Sequence, residues 1–391
     1  MQNTVIFLYL SLAAWLYLIF FWGRSFFSNQ PFFWTNKVFF QPSSKQIFNK
    51  QLRSVSVVIP ARNEEKNITK TLSKLIRQND VKLKIIIVDD NSTDKTSNIA
   101  RNFLNTNSFK RFKIIRGKKL PPNWSGKVWA LKQGVELALK DKLEFYLLLL
   151  DADISLNNNV LRSLIQKMDN ENLQMISLMA KLRCESFWEK LLIPSFIFFF
   201  QKLYPFNTVN QVNSDLSAAA GGCVMCHSKI FRKNPFFDLI KNKIIDDCNL
   251  AKLIKKEGKI WLGLTDSVKS ERKYLKLKEI WQMVSRTAFE QLNHSFSILI
   301  LSSLSMILLY LLFPFTIFLS IFNSNFSIFI LGVSGYILTS IVYFPTIKFY
   351  NLPKIYIFSL PVSGLIYLII TLHSASNYYR GLGNVWKERN Y

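Results

Sequence analysis

The segment from Gln291 to Ile347 contains no Asp, Glu, Lys or Arg. One helix needs about 20 mostly apolar residues to cross the hydrocarbon core of a bilayer. This segment is therefore long enough for two membrane spans with a turn near Asn323–Asn325, and a further apolar stretch follows at residues 355–373. We predict about three C-terminal membrane helices within residues 295–375.

Another uncharged apolar stretch, residues 4–22, lies near the N-terminus. It lacks the basic beginning of a cleaved signal peptide, and basic residues such as Arg24 follow it. The positive-inside rule therefore places the N-terminus outside and the following residues in the cytoplasm. We predict an N-terminal transmembrane helix over residues 1–24, a basic and aromatic linker over 25–52, and a multi-pass protein of the bacterial inner membrane type. A buried core helix is the alternative for residues 4–22.

The basic tail, residues 376–391, gives a conflicting topology signal. One N-terminal and three C-terminal spans would place the tail outside, whereas the positive-inside rule favours the inside. A re-entrant or interfacial segment among the last three spans would resolve the conflict, and the sequence leaves this choice open.

The composition combines strong basicity with a high apolar content. Lys and Arg number 50 against 25 Asp and Glu, which gives a formal charge of +25, and the chain is 49% hydrophobic with 34 Phe. Such a charge suggests an anionic partner. The apolar content and the lack of a recognition motif argue against nucleic acid, so we predict a membrane partner and no nucleic acid. Cys223 and Cys226 lack a second ligand pair at zinc spacing, and we interpret them as buried strand thiols.

An alternation of strands and helices begins after the linker. Ser54–Pro60 and Lys84–Asp90 are typical of buried strands, and residues 67–77 have helical periodicity between them. Asn91–Asp94 then supplies residues that favour a helix start. This order predicts an α/β fold with a parallel sheet covered by helices.

A further buried strand is predicted over Tyr146–Leu150, with Asp151 and Asp153 directly after it. Because side chains alternate along a strand, the two carboxylates are expected on the same side. A Mg²⁺ ion that holds a substrate diphosphate would explain two carboxylates so close together. A pair of solvated aspartates is the alternative.

Polar or turn-forming residues follow each of these strands. Ligands bind beyond the carboxyl ends of strands in such sheets, so we expect one crevice suited to a nucleotide's base, ribose and metal-bound phosphates. The residues at these ends are Pro60, Asp89, Asp90, Asp151 and Asp153.

Lys127 is predicted near the start of a helix that follows a Pro-Pro and Gly loop. A lysine there is unfavourable for the helix dipole unless an anion is also present. Lys127 is therefore a candidate phosphate contact, with a solvated surface lysine as the alternative. We interpret Arg116, Lys118 and Lys119 as surface charge.

Three further segments carry predictions. Asp246 and Asp247 stand at a predicted helix start, where one could act as a general base and the other could cap the helix. Small residues at 218–223 would let the backbone approach a ligand closely. Residues 187–206 and 278–294 are expected to form interfacial helices on the bilayer, and a buried helix is the alternative for the first.

Several motifs occur together in order: Val58–Glu65, Val88–Asp94, Gly126–Lys127, Asp151–Asp153 and Asp246–Asp247. This set resembles family 2 glycosyltransferases. Within that family, residues 121–131, 182–189 and 260–265 look like the hopene-associated glycosyltransferases. The resemblance covers roughly residues 50–295.

The resemblance implies a GT-A, Rossmann-like nucleotide-sugar domain over residues 53–294 and an inverting transfer from a donor of the UDP type. It implies Mg²⁺ or Mn²⁺ on Asp151 and Asp153, with Asp247 as the catalytic base. A lipid acceptor, reached from the cytoplasmic face, would explain the membrane helices on both sides. The implied donor-binding residues are Pro60, Ala61, Arg62, Glu64, Asp89, Asp90, Lys127, Asp151 and Arg286.

The chain departs from the pattern of processive members of the family, which carry Gln-x-x-Arg-Trp. Here Gln282 is followed by Arg286 one position late, and the Trp is absent. A processive polysaccharide synthase is therefore the alternative enzyme hypothesis, and it is less favoured than transfer of a sugar to a lipid. A non-catalytic membrane scaffold that binds nucleotide-sugars is a third alternative.

Overall fold

The computed structural model describes residues 2–22, 39–43, 52–141, 145–382, 385–386 and 389–390. Most of the predicted linker and part of the basic tail lie outside this range. The chain divides into an α/β unit, Asn36–Arg183 with Val209–Lys273, and a helical unit, Met1–Thr35 with Cys184–Thr208 and Tyr274–Tyr391.

The strands and helices are as follows. The strands are β1 (Arg53–Ala61), β2 (Val81–Asp89), β3 (Phe112–Arg116), β4 (Tyr146–Leu150), β5 (Ile154–Leu156), β6 (Met175–Lys181), β7 (Cys223–His227), β8 (Ile260–Ser270), β9 (Val385–Trp386) and β10 (Arg389–Asn390). The helices are α1 (Gln2–Phe20), α2 (Ile68–Leu75), α3 (Thr96–Thr106), α4 (Gly126–Leu139), α5 (Val160–Glu171), α6 (Phe187–Leu203), α7 (Phe206–Val209), α8 (Ser228–Lys233), α9 (Phe236–Leu239), α10 (Asp246–Glu257), α11 (Leu277–Ala288), α12 (Phe296–Met306), α13 (Leu312–Phe322), α14 (Phe326–Phe349) and α15 (Leu360–Tyr379).

The α/β unit is built on one sheet with the strand order β3-β2-β1-β4-β7-β6-β8-β5. The neighbours β3, β2, β1 and β4 are parallel. The sequence predicts this arrangement for β1, β2 and β4, whereas strand β3 was not predicted. Strand β7 runs antiparallel to β4 and β6, and β5 runs antiparallel to β8, so the sheet is mixed. All five residues of β4 are buried because this strand lies inside the sheet.

The parallel pairing brings the carboxyl ends of several strands to one edge of the sheet. Ala61 pairs with Asp89, and Asp89 pairs with Arg116. Asp151 follows β4 at the same edge, where its N–H donates to the carbonyl of Gly222 over 3.0 Å. We call this the carboxyl edge.

Two local predictions need correction. Asn91–Asp94 does not start a helix: α3 begins at Thr96. Asp94 lies in the preceding loop, and its side chain accepts hydrogen bonds from the N–H groups of Glu65 and Thr96. Such side chains compete with helical hydrogen bonding by closing local turns. The chain also turns directly after β4, so strand alternation does not set the directions of Asp151 and Asp153.

Among the described residues, the helical unit contains four helices that are long and apolar enough to cross a membrane: Asn3–Phe20, Phe296–Phe322, Phe326–Phe349 and Lys354–Tyr379. This confirms the prediction of one N-terminal and three C-terminal apolar helices. A π-helical segment, Ile307–Leu311, joins α12 to α13. Two carbonyls of this segment accept hydrogen bonds from α1, that of Leu308 from the Ser11 hydroxyl and that of Leu309 from the Trp15 indole.

The predicted interfacial helices correspond to α6 and α11, which belong to the helical unit. Helix α6 packs against α15, whose Ser363 and Tyr367 hydroxyls donate to the carbonyls of Leu191 and Leu192. Helix α11 also packs against α15, through the Ser374 hydroxyl on the carbonyl of Ser285. Their placement at a membrane surface stays a prediction.

Candidate active site

The loops after β1 and β2 are tied to each other at the carboxyl edge. Asp90 N–H donates to the carbonyl of Ala61 over 2.8 Å. The Arg62 guanidinium donates to the carbonyls of Asp90 at 2.7 Å and Asn91 at 2.9 Å. Arg62 thus fixes the shape of this loop pair.

Asp89 has a similar fixing role. Its carboxylate accepts from the Ser92 N–H at 2.8 Å and from the Ser97 hydroxyl at the start of α3. Asp89 and Asp90 are both buried, and Pro60 is half-buried at the end of β1. The structure therefore brings together the residues that were predicted to bind the nucleoside, in two loops joined by hydrogen bonds.

A narrow crevice lies between β4, α4 and α10 at the same edge. Lys127 follows the first residue of α4, whose N-cap is Ser125, so the predicted helix start is correct to within one residue. The ammonium of Lys127 lies 2.9 Å from Asp151 Oδ1 and 3.9 Å from Asp246 Oδ2. Gly221 and Asp247 line the same crevice.

The charge of Lys127 is stabilised by its surroundings. Burial acts against that charge, but the carboxylates of Asp151, Asp246 and Asp247 together raise the pKa of Lys127 above its usual value. Lys127 is therefore a permanent cation where it faces Asp151. Its place at the first turn of α4 also puts helix N–H groups nearby, which favours an anion.

Asp247 is held by two backbone donors. Its Oδ2 accepts from the Gly221 N–H at 2.7 Å and its Oδ1 from the Cys248 N–H at 2.8 Å. Burial raises the pKa of the Asp247 carboxyl, while Lys127 and the two N–H groups act in the opposite direction. The expectation that one aspartate caps α10 needs correction: the N-cap is Ile245, and both aspartates lie in the first turn, where negative charge suits the helix dipole.

The small residues before β7 pack directly against the start of α10. Besides the Gly221 contact, the Cys248 thiol donates to the carbonyl of Ala219. Residues 218–223, whose backbone was predicted to approach a ligand closely, thus also position Asp247. Cys223 and Cys226 lie buried in β7, and burial raises the pKa of both thiols.

A second cluster centres on Arg272, which the sequence reasoning missed. Arg272 Nε lies 2.7 Å from Asp153 Oδ2, and its Nη2 lies 2.5 Å from Glu64 Oε1. Burial raises the pKa of Asp153, and the charge of Arg272 acts in the opposite direction. The only sequence signal for this role of Arg272 was its position as a basic residue shortly after a strand. Basic residues are common at such positions. The pairing depends on a long-range contact between β8 and the loops after β1 and β4.

The two aspartates after β4 therefore face different cations, Asp151 facing Lys127 and Asp153 facing Arg272. Mg²⁺ usually takes one or two carboxylates together with phosphate oxygens. Asp151 and Asp153 supply a donor set of that kind, and the Asp151 side chain is 33% exposed. Within the described ranges, no group of three or more His, Cys, Asp or Glu side chains is arranged to hold an ion alone. The donor chemistry fits Mg²⁺ or Mn²⁺ shared with a diphosphate.

Arg286 lies in α11, which belongs to the helical unit. Its predicted diphosphate contact stays a prediction. The charges of the candidate site itself are predominantly negative. Its acidic side chains are Glu64, Asp89, Asp90, Asp151, Asp153, Asp246 and Asp247, and its basic side chains are Arg62, Lys127 and Arg272.

Comparison with known proteins decides the family of this unit. Residues 56–234 match the model described as Glycosyl transferase family 2. The chain contains a family 2 glycosyltransferase domain. The matched residues hold the loops after β1, β2 and β4, so the carboxyl edge described above belongs to this domain.

Relatives of the family 2 domain include two named glycosyltransferases. The chain is 36% identical over 115 residues to the 4,4'-diaponeurosporenoate glycosyltransferase of Staphylococcus haemolyticus. It is 34% identical over 116 residues to that of Staphylococcus aureus. Each alignment covers 29% of this chain and 28% of the relative, so the chain matches less than a third of these relatives' length.

The fold of the family 2 domain is also found in a solved structure. The mannosyltransferase PcManGT from Pyrobaculum calidifontis, solved in complex with GDP-Man and Mn²⁺, superimposes with a TM-score of 0.54. The superposition covers 93% of this chain and 99% of that one at 12% sequence identity. At this identity the likeness shows the fold alone, and it confirms the predicted GT-A type.

Proposed function

We propose that this protein is a membrane-bound glycosyltransferase that moves a sugar from a nucleotide-sugar to a lipid acceptor. The family 2 domain supports sugar transfer, and the four apolar helices support membrane attachment. An acceptor that cannot leave the bilayer requires an enzyme that stays beside it. The catalytic domain faces the cytoplasm in this proposal, as the positive-inside rule favours.

The observation that carries the proposal is the crevice around Lys127. A permanent cation faces Asp151 on one side and the start of α10 on the other, with Asp247 fixed by two N–H donors. This arrangement suits a reaction in which a diphosphate leaves and a proton is taken up. Lys127 binds the diphosphate, and Asp247 faces the acceptor.

Asp247 acts as the general base. It takes the proton of the acceptor hydroxyl while the hydroxyl oxygen attacks the anomeric carbon and the bond to the diphosphate breaks. A base works best when its pKa lies near the working pH, and burial moves the pKa of Asp247 in that direction. The two N–H groups hold the carboxylate in position, and a single displacement inverts the anomeric centre.

Asp151 and Asp153 would hold Mg²⁺ or Mn²⁺ together with the donor diphosphate. When bound, the ion supplies positive charge that stabilises the departing diphosphate. Lys127 and Arg272 neutralise the two carboxylates in the structure described. Both cations are therefore placed to contact diphosphate oxygens.

The hydrogen-bonded loops after β1 and β2 bind the nucleoside of the donor. We propose that the donor is of the UDP type. Pro60 and Ala61 line the end of β1, and Asp89 and Asp90 supply the acidic groups. Arg62 and Glu64 shape these loops through their contacts with the Asp90 carbonyl and with Arg272. Arg286 is retained as a further diphosphate contact.

The proposed acceptor class is an isoprenoid lipid. Relatives of the domain are named for 4,4'-diaponeurosporenoate, an isoprenoid, and the sequence motifs resemble hopene-associated enzymes. Both lines favour an acceptor with a long apolar body and one polar end.

The test is a transfer assay with protein in lipid nanodiscs, isoprenoid acceptors and candidate nucleotide-sugars. The proposal expects one sugar per acceptor by mass spectrometry. A ladder of products would instead indicate a processive synthase, and donor binding without transfer to any acceptor would indicate a scaffold.

A further inference from the structure

The chain contains no Asp or Glu between Asp94 and Glu136, although this segment is rich in basic residues. Six of them fall within residues 110–119, and all six side chains are exposed. We call these six the basic strip: Lys110, Arg111, Lys113, Arg116, Lys118 and Lys119. None of them forms an ion pair within the part of the chain that the structure describes.

The basic strip follows β3 to the carboxyl edge. Strand β3 is the outermost strand beside β2, and the parallel pairing sets Arg116 opposite Asp89. The end of the strip therefore borders the proposed nucleoside loop. Arg116 Nε donates to Asn91 Oδ1 at 3.3 Å, which joins the strip to that loop directly.

The strip is fixed where it meets the site. Gly117 N–H donates to the Asp89 carbonyl at 2.7 Å, and Lys118 N–H donates to Gln133 Oε1 at 2.8 Å. The Trp129 indole donates to the Lys118 carbonyl at 3.2 Å. The backbone that carries these charges is therefore held from both sides, by β2 and by α4.

The candidate site needs positive charge around it. Its acidic side chains outnumber its basic ones by seven to three, and a divalent ion offsets only part of this difference. A dianionic nucleotide-sugar that approaches such a site is repelled unless nearby cations reverse the field. Charges of one sign beside a cleft raise association rates, and salt weakens the effect.

We propose that the basic strip steers the nucleoside diphosphate of the donor towards the carboxyl edge. The strip acts on the association step and makes no contact with the bound donor. This inference rests on the proposed function, because it requires a nucleotide-sugar as substrate.

Protection of the exposed edge strand is a simpler role for lysines in β3. It accounts for Lys113 within the strand. It does not account for Lys118 and Lys119 beyond the end of the strand, nor for the absence of acidic residues from the whole segment.

The test compares two triple variants that lose the same charge. The first is Lys113→Gln/Lys118→Gln/Lys119→Gln in the strip. The control is Lys252→Gln/Lys256→Gln/Lys259→Gln, three exposed lysines of the α10 end and the residue before β8. Strand β8 runs in the same direction as β4 through β7 and β6, so the control charges lie towards the opposite edge of the sheet.

Stopped-flow fluorescence would follow the binding of methylanthraniloyl-UDP and methylanthraniloyl-GDP, with Mn²⁺, to protein in uncharged phosphatidylcholine nanodiscs. At low ionic strength we expect the association rate of the strip variant to fall about three- to tenfold. The dissociation rate should stay unchanged. The difference should disappear near 1 M salt, where the Debye length is about 3 Å, and the control variant should behave like the parent.

Several results would overturn the inference while the proposed function stands. These are an unchanged association rate, an equal fall in the control, a change confined to dissociation, or an effect that appears only in anionic nanodiscs. The last result would assign the strip to the membrane surface. A parent protein that binds neither nucleotide would contradict the proposed function itself, and the inference with it.

Discussion

The N–H of Gly221 donates a 2.7 Å hydrogen bond to Oδ2 of Asp247. A Cβ at Gly221 would lie 3.0 Å from that oxygen and 3.1 Å from Lys127 Nζ. Because residue 221 is a glycine, its backbone can lie close to both Asp247, the proposed base, and Lys127, the proposed diphosphate contact.

Gly221→Ala should lower kcat about tenfold or more, because the added methyl group displaces Asp247 or Lys127 from its position. Steady-state kinetics with thermal unfolding as a control would measure this. Gly222→Ala is the matched variant, since the three atoms nearest to its Cβ would belong to Ile154, at 3.2 and 3.4 Å, and to Ala180, at 3.9 Å, and none to Asp247 or Lys127. Equal turnover in the two variants would show that the close approach at Gly221 is unimportant.

Asp247→Asn should lower transfer by about 10²- to 10⁴-fold, the usual contribution of a positioned base. Donor affinity should change little, because the amide keeps the shape of the side chain. Titration calorimetry with the donor and a turnover assay separate the two effects. The exposed Asp266→Asn in β8 serves as a control, and normal turnover by Asp247→Asn would remove that residue from the mechanism.

The pH profile should report the coupling between Asp247 and Lys127. A base acts when deprotonated, so kcat/KM should rise with pH through the pKa of Asp247, which burial raises. Lys127→Met removes the cation that holds this pKa down, so the acid limb should move to higher pH. Donor affinity should also fall by about ten- to a hundredfold as a charged hydrogen bond is lost. An acid limb at the same pH in both proteins would contradict the assignment.

Much of the α/β unit could be predicted from residues alone. Strand β4 is a continuous apolar run, and β1 and β2 each contain a shorter one, Val57–Ile59 and Ile85–Val88. The order of these strands predicts that Asp89 and Asp151 share an edge. The start of α4 could be placed from the Pro-Pro and Gly loop before Lys127. The family resemblance added the GT-A fold, which the solved mannosyltransferase confirms.

Features that depend on long-range pairing could not be predicted. The antiparallel insertion of β7 beside β4 follows from contacts between residues far apart in sequence. The pairing of Arg272 with Asp153 and Glu64 follows in the same way. Local hydrogen bonds also set the start of α3, since the Asp94 side chain bonds the N–H of Glu65 in the loop after β1 as well as that of Thr96, the first residue of the helix.

Arg272→Gln should tighten the binding of Mn²⁺ to the protein without donor, by about tenfold, because the guanidinium no longer neutralises Asp153. Electron paramagnetic resonance of added Mn²⁺ measures free and bound ion directly. Arg53→Gln, which removes an exposed pair with Asp169, is the control. Unchanged or weaker Mn²⁺ binding in Arg272→Gln would argue against Asp153 as a metal ligand.

Trp15→Phe should destabilise the helical unit by about 1–3 kcal/mol, because it leaves the Leu309 carbonyl of the π-helical segment without its indole donor. Unfolding in detergent would give this difference. Tyr17→Phe, at an exposed position of α1, is the matched control. Equal stability of the two variants would show that the Trp15 contact is dispensable.

The most direct test of metal-dependent sugar transfer is a donor screen on purified protein in lipid nanodiscs with total membrane lipid. Nucleotide release is measured with Mn²⁺ or Mg²⁺, and again after chelation. We expect release from one nucleotide-sugar, abolished by the chelator and by Asp247→Asn, with a glycosylated lipid as product. Release that survives chelation and the Asp247→Asn substitution would contradict the proposed site.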